Sequence, residues 1–353
     1  MSETPMSDHQ PDTDRHPFHQ WTPLEQPRFG TRVVEANDEF FGAKDRLIKP
    51  EAPVFLPDEY DDHGKWMDGW ETRRRREPGH DWCIVRLGLP GIVHGLEIDT
   101  SHFTGNYPQA ASIDACFTDD EVPGTDAAWR VLLPRVELAG DSHHHLPVDD
   151  REPVSHLRLN IYPDGGVARL RIYGEVRPDP GAPAPSEPID LFALQHGGRA
   201  LACSDEHFGS MHNLNVPGRG VNMGDGWETR RRRGPGHDWA ILALGRPGRI
   251  EEAEIDTAHF KGNYPARASL QAARMDDADL DSLLRQSADW PQLLPAVPLG
   301  ADTRHHFRGE LNDLGVVTHV RLAIYPDGGV SRLRLWGRAV GPGTGRAPGD
   351  IRD

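Results

Sequence analysis

Residues 157–173 read Leu-Arg-Leu-Asn-Ile-Tyr-Pro-Asp-Gly-Gly-Val-Ala-Arg-Leu-Arg-Ile-Tyr, and this stretch sets the fold class. Leu157, Leu159 and Ile161 alternate with Arg158, Asn160 and Tyr162. Beyond the turn residues Pro163-Asp164-Gly165-Gly166, Ala168, Leu170 and Ile172 alternate with Arg169, Arg171 and Tyr173. A period of two belongs to a pleated strand, whose successive side chains point to opposite faces. The stretch therefore predicts a β-hairpin with one buried and one wet face. Ile84–Leu87, Leu96–Asp99 and Ala111–Ala115 read as further short strands, separated by turn residues at the spacing of an antiparallel sandwich. Only Asp276 to Arg285 offers a helix, with Leu280, Leu283 and Leu284 on one side.

The pattern occurs twice. Residues 68–82, Asp-Gly-Trp-Glu-Thr-Arg-Arg-Arg-Arg-Glu-Pro-Gly-His-Asp-Trp, return at 225–239 with only Glu77 replaced, by Gly234. The same offset of 157 carries Ile98-Asp99-Thr100-Ser101-His102-Phe103 onto Ile255-Asp256-Thr257-Ala258-His259-Phe260, and Gly105-Asn106-Tyr107-Pro108 onto Gly262-Asn263-Tyr264-Pro265. The offset is 167 upstream, at Asp38-Glu39 and Asp205-Glu206, and 163 at the Tyr-Pro-Asp-Gly-Gly-Val blocks, so insertions lie between shared blocks, including ten extra residues before Trp70. Loops absorb such length changes cheaply. A unit this long is a complete domain rather than a solenoid repeat. The reading is all-β: two tandem jelly-roll sandwiches related by internal duplication. They span 21–177 and 189–340, joined by a Pro-rich linker at 178–188 and flanked by disordered tails at 1–20 and 341–353.

Thirty-nine basic against fifty-five acidic residues leave a net charge of −16. A field of that sign repels nucleic acid and anionic membranes, and neither is expected as a partner. No apolar run approaches the ~18 residues of a membrane span, and the first thirty residues carry no apolar secretory core. Cys83, Cys116 and Cys203 are odd in number and widely spaced, which fits a reducing, cytoplasmic compartment. Cys83 and Cys116, set in apolar strands, read as packing residues.

Four consecutive arginines, twice, in an otherwise acidic chain point to anion binding. A guanidinium fork suits a carboxylate or phosphate. If Trp70–Arg76 is a strand, Glu71, Arg73 and Arg75 share a face, as do Glu228, Arg230 and Arg232, and that face is the expected carboxylate clamp. Glu71 and Glu228 are candidate acceptors for substrate N–H groups. His80 and His237 stand at strand entrances, whereas His102 and His259 sit in polar loops after a strand and are the better acid–base candidates. The same loops carry the candidate binding residues Asp99, Asn106 and Tyr107, with Asp256, Asn263 and Tyr264. His144-His145 and His305-His306 are adjacent pairs whose rings point to opposite faces of a strand. No metal or other cofactor is therefore expected, with a divalent ion such as manganese the alternative. There is no phosphate-binding loop, no dinucleotide-binding glycine pattern and no Gly-x-Ser-x-Gly.

With these doubled blocks, from about Arg32 to Arg338, the chain resembles the allantoicases. The resemblance implies two galactose-binding-like jelly rolls, homo-oligomerisation, and hydrolysis of allantoate to ureidoglycolate and urea in purine catabolism. Such a substrate suits the residues. It has one carboxylate and two ureido arms on a single carbon, and so calls for a cationic fork beside several acceptors. Release of intact urea means that the bond broken joins the central carbon to a ureido nitrogen, which needs no Ser or Cys nucleophile. The rival readings are a sugar-binding module and a lyase acting on ureidoglycolate. A module of that kind favours aromatic platforms over the Arg, His and Asp found here.

Overall fold

The architecture comes from a computed structural model that describes residues 18, 21–124, 126–177, 186–276 and 278–340. The expected tails, apart from Phe18, and all of the linker before residue 186 lie outside the described residues. The described chain divides into two compact units, one up to residue 177 and the other from residue 186.

In the first unit the main strands are β1 (Arg32–Ala36), β2 (Asp81–Asp99), β3 (Ala110–Cys116), β4 (Arg130–Glu137), β5 (His143–Pro147), β6 (Val154–Tyr162) and β7 (Arg169–Val176). The second unit repeats them as β8 (Arg199–Cys203), β9 (Asp238–Asp256), β10 (Arg267–Ala273), β11 (Gln292–Pro298), β12 (Arg304–Phe307), β13 (Val317–Tyr325) and β14 (Arg332–Ala339). The organising element is the 19-residue β2. Its first half pairs with β1 and β6, and β6 continues to β3 and then β4. Its second half pairs with β7 and β5. One strand thus belongs to both layers of the sandwich and joins them, and β9 does the same in the second unit.

Two expectations change here. Ile84–Leu87 and Leu96–Asp99 are not separate strands but the two halves of β2. Nor do β6 and β7 form a hairpin, because each lies against a different half of β2 and so in a different layer. The Pro163–Gly166 turn is therefore an arch across the end of the sandwich. Local alternation reports that both segments are strands, but not which neighbour each one bonds.

The buried face is as the alternation requires, with Leu157, Leu159, Ile161, Leu170 and Ile172 fully buried. In the second unit Leu242, Leu270 and Leu322 from one layer and Ile255, Leu333 and Leu335 from the other share one core cluster. The opposite face of β7 is not wet. Arg169 is 1% exposed and donates to Glu51 O, Asp68 O and the Asp68 carboxylate. A buried cation persists only when its donors are matched in this way. The helix is α1, Leu280–Gln286, and it starts later than expected because the Asp279 side chain accepts from the Ser282 amide and caps it there. Cys83 and Cys116 are buried with their thiols pushed up by burial, as packing residues should be.

Candidate active site

At one end of the first sandwich the three repeated motifs hold one another. Trp70–Glu71 is a two-residue strand paired with Gly166–Val167 of the arch. Thr72 donates its amide to Gly165 O at 3.1 Å and accepts the Gly165 amide on Oγ1 at 3.1 Å. Gly166 donates to Asn106 O at 2.7 Å, which ties the arch to the Gly-Asn-Tyr-Pro loop. The fit is tight: a Cβ on Gly166 would lie 2.0 Å from the Phe103 ring. All of these contacts recur in the second unit among Trp227, Glu228, Thr229, Asn263, Gly328, Gly329 and Phe260.

Glu71 is the focus. It is buried and accepts the Asn106 side-chain amide at 2.7 Å. Burial raises its carboxyl above the ordinary 4.5; the Asn106 bond opposes the rise and the nearby charge of Asp61 adds to it. Asp61 belongs to the insertion before Trp70, whose small hairpin pairs Tyr60–Asp61 with Gly64–Lys65. The insertion also lays His63 against Phe40, with ring centres 4.2 Å apart, and Lys65 bonds Leu56 O at 2.6 Å. Glu228, half-buried, bonds Asn263 in the second unit.

The arginine run is not a strand beyond Glu71, because the Arg73 and Arg75 amides are taken by the side chains of Asp38 and Asp164 instead of a neighbouring strand. Its alternation persists all the same. Arg73 Nε donates to Asp38 at 2.6 Å, and Arg75 Nη1 to the buried Asp81 at 2.6 Å. Arg74 and Arg76 are exposed, with no side-chain partner among the described residues. Burial pushes Asp38 up, yet the Phe40 amide and Arg73 outweigh it and hold its carboxyl below the usual range. Arg230 and Arg232 make the matching pairs with Asp205 and Asp238.

The other candidates fall at neighbouring places. His80 packs on Tyr162 (4.8 Å) and His237 on Tyr325 (4.8 Å). Burial, with Arg321 and Arg232, lowers the His237 pKa. His102 and His259 both adopt φ of 70°, with their amides on Asp141 and Asp302. Their Nε2 atoms meet backbone carbonyls of the loop before the tryptophan, Pro53 O at 3.4 Å and Gly220 O at 2.8 Å. Among the described residues, neither ring hydrogen-bonds to a glutamate of the Trp-Glu motif. Tyr107 packs against the Met67–Phe103–Ala168 cluster, and Tyr264 is half-buried.

Among the described residues, the Asp99 carboxylate makes no hydrogen bond to the Glu71–Asn106 pair. It accepts the Ser101 amide at 2.8 Å and stands 3.9 Å from His143, while Glu97 bonds His143 Nδ1 at 2.7 Å. Among the described residues, Glu97, Asp99 and His143 are the one group arranged as metal ligands. His143 was not singled out from the sequence, although His143-x-His145 opposite Glu97-x-Asp99 carries the signal. The register of β2 and β5 sets Glu97 opposite His145 and Asp99 opposite His143. His144 and His305 are unsuited to metal. Each ring accepts a backbone amide on Nε2 (Ala139, Gly300) and has Nδ1 on a backbone carbonyl (Ile98, Ile255).

The allantoicase repeat family model matches residues 22–177 and again 189–340. The chain belongs to the allantoicase family. It is 57% identical over 314 residues to "Probable allantoicase 2" of Burkholderia pseudomallei, covering 89% of this chain and 94% of that one. It is 54% identical over 325 residues to "Probable allantoicase" of Pseudomonas paraeruginosa, covering 92% and 98%. The crystal structure of allantoicase from Saccharomyces cerevisiae superimposes with a TM-score of 0.75 at 36% identity, over 90% of this chain and 92% of that one. No helix among the described residues is long and apolar enough to cross a membrane.

Proposed function

We propose that the Glu71–Asn106–Arg73 cluster of the first sandwich carries the family reaction, in which an allantoicase hydrolyses allantoate to ureidoglycolate and urea. The observation that supports it is a glutamate kept protonated to higher pH by burial, in the same motif as a half-free arginine and near Asp61 of an insertion that the second unit lacks. Arg73 is fixed through Nε by Asp38, and its side chain remains 63% exposed. Its guanidinium lies over the Phe40 ring, and its two terminal nitrogens, which have no hydrogen-bond partner among the described residues, take the substrate carboxylate as a planar fork. Asn106 orients Glu71 and offers its carbonyl oxygen to a ureido N–H.

Protonated Glu71 gives its proton to the leaving ureido nitrogen as the C–N bond breaks, while the lone pair of the other ureido nitrogen moves in to form a C=N bond. Urea departs. Water then adds to that carbon, and the Glu71 carboxylate takes its proton, which restores the acid. A raised carboxyl suits the first step, because the acid must be protonated near the working pH. His102 is better placed to hold the insertion than to transfer protons, since its ring is stacked on Phe55 and its Nε2 faces Pro53 O. No step uses a metal.

The expectations that stay proposals are a cytoplasmic location, assembly into homo-oligomers, and binding roles for Arg75, Asp99 and Tyr107. Incubation of the purified chain with allantoate should release urea. Release from ureidoglycolate but not from allantoate would establish the lyase instead.

A further inference from the structure

The two copies differ most informatively away from the glutamates. In the first unit the Glu97–Asp99 edge of β2 is closed over, with Tyr173 8% exposed, bonded to Glu97, and Phe18 packed 6.0 Å from its ring. At the same place the second unit has a cavity of about 390 Å³. Three substitutions mark the difference. Strand register sets Arg304 opposite Asp256 where His143 stands opposite Asp99, and sets Trp336 where Tyr173 stands. Arg219 takes the place of Ala52, each next to the residue whose carbonyl faces the loop histidine.

The cavity is built from donors that the protein leaves underused. Arg304 reaches Asp256 and Glu254 only at 3.5 and 3.9 Å, and its side chain is 49% exposed. Arg219 spends Nε on Asp256 at 3.0 Å and is 45% exposed. Nη1 of Arg334 is buried with no hydrogen-bond partner. Four arginines against three carboxylates leave the lining one positive charge in excess. Trp336, 39% exposed, offers a flat face beside them.

We infer that this cavity is a second small-molecule site, built for a planar monocarboxylate that also carries amide or ureido N–H groups. The carboxylate lies on the Arg219–Arg304 forks, its N–H donors meet Glu254, and its plane rests on Trp336. The site shares no residue with the Glu228–Asn263 pair, and the inference does not depend on the role given to Glu71.

N-carbamoylglycine is a suitable probe. It has one ureido arm and one carboxylate, and it lacks the second nitrogen that the proposed reaction uses to expel urea. Its binding is read as quenching of the Trp336 contribution to fluorescence, taken as the difference between the wild-type chain and Trp336→Phe. Saturable quenching is expected, weakened at least about tenfold in the Arg219→Ala/Arg304→His double variant, which restores the residues of the first unit. Arg304→Lys, which keeps the charge but not the fork, should weaken it less and guards against a folding defect in the double variant. Glu71→Gln should leave the quenching intact. No difference between wild type and Trp336→Phe, or undiminished quenching in a folded double variant, would overturn the inference. Loss of urea release in Glu71→Gln bears only on the first sandwich.

Discussion

Replacing Glu71 by Gln separates chemistry from structure at the proposed centre. The amide keeps an oxygen for the Asn106 N–H, now bonded at 2.7 Å, and nearly preserves the volume. Substrate binding should therefore change little, and kcat alone should fall. A positioned general acid contributes about 10²–10⁴-fold, or roughly 3–5 kcal/mol of barrier. Stability should move the other way. Burial raises the folded-state carboxyl, so the unfolded chain ionises more readily. The native state is unpenalised below the ordinary 4.5 and loses stability as pH climbs from there through the folded value. Glu71→Gln should thus melt higher than wild type at pH 7.5 and alike near pH 4. Urea release at saturating allantoate and melting curves at both pH values check this. A kcat within about threefold of wild type, in a variant that folds, would refute the assignment; a variant equally destabilised at both pH values would refute the account of burial.

Arg73→Ala should lower kcat/KM about 30- to several-thousand-fold with an unchanged melt, whereas Arg74→Ala and Arg76→Ala should stay within about 0.5 kcal/mol of stability and keep activity. Arg75→Ala strands the buried Asp81 carboxylate, so it should melt lower by about 3–5 kcal/mol of stability before any kinetic effect is read. Urea release should survive exhaustive chelation; loss restored by a divalent ion would move attention to Glu97, Asp99 and His143. Burial lowers His319 to about 4, so it supports the fold above 6.5 and its contribution disappears as pH falls through about 4; His319→Gln should flatten that limb of an acid-unfolding curve.

What the sequence made legible follows from which interactions are local. Alternation at 157–173 marked strands and core face correctly, because burial of Leu157 or Ile172 depends only on the pleat. It misassigned their pairing, since β2 enters between β6 and β7 from about seventy residues upstream in sequence. The duplicated blocks also located the site region, as each block is a partner of the other two: Thr72 with Gly165, Gly166 with Asn106, Asn106 with Glu71. The burial of Glu71 was not legible. It arises from the fold, and comparing the copies could flag the extra residues before Trp70 but not that Asp61 would lie near the carboxyl.

This division is physical. At the shared arch a change has no room: a methyl at Gly166 would drive Phe103 from beneath the loop that holds Asn106, and the same holds for Gly329 and Phe260. The shared arch, the Trp-Glu-Thr segment and the Asn loop are therefore one interlocked unit. Where the copies differ, the change sits on the rim. The first unit carries an extra hairpin whose Asp61 lies near Glu71, and the second has two arginines and a tryptophan in place of alanine, histidine and tyrosine around an open cavity. Rim residues can be replaced without breaking a ladder bond, so duplication leaves them free to take on separate tasks. On this reasoning Gly166→Ala and Gly329→Ala should cost similar stability, about 1–3 kcal/mol each. Only Gly166→Ala should also cost urea release, because only it displaces the partner of Glu71. Equal loss of activity from both would mean that the two glutamates work together and that the divergence of the rims has not separated their roles.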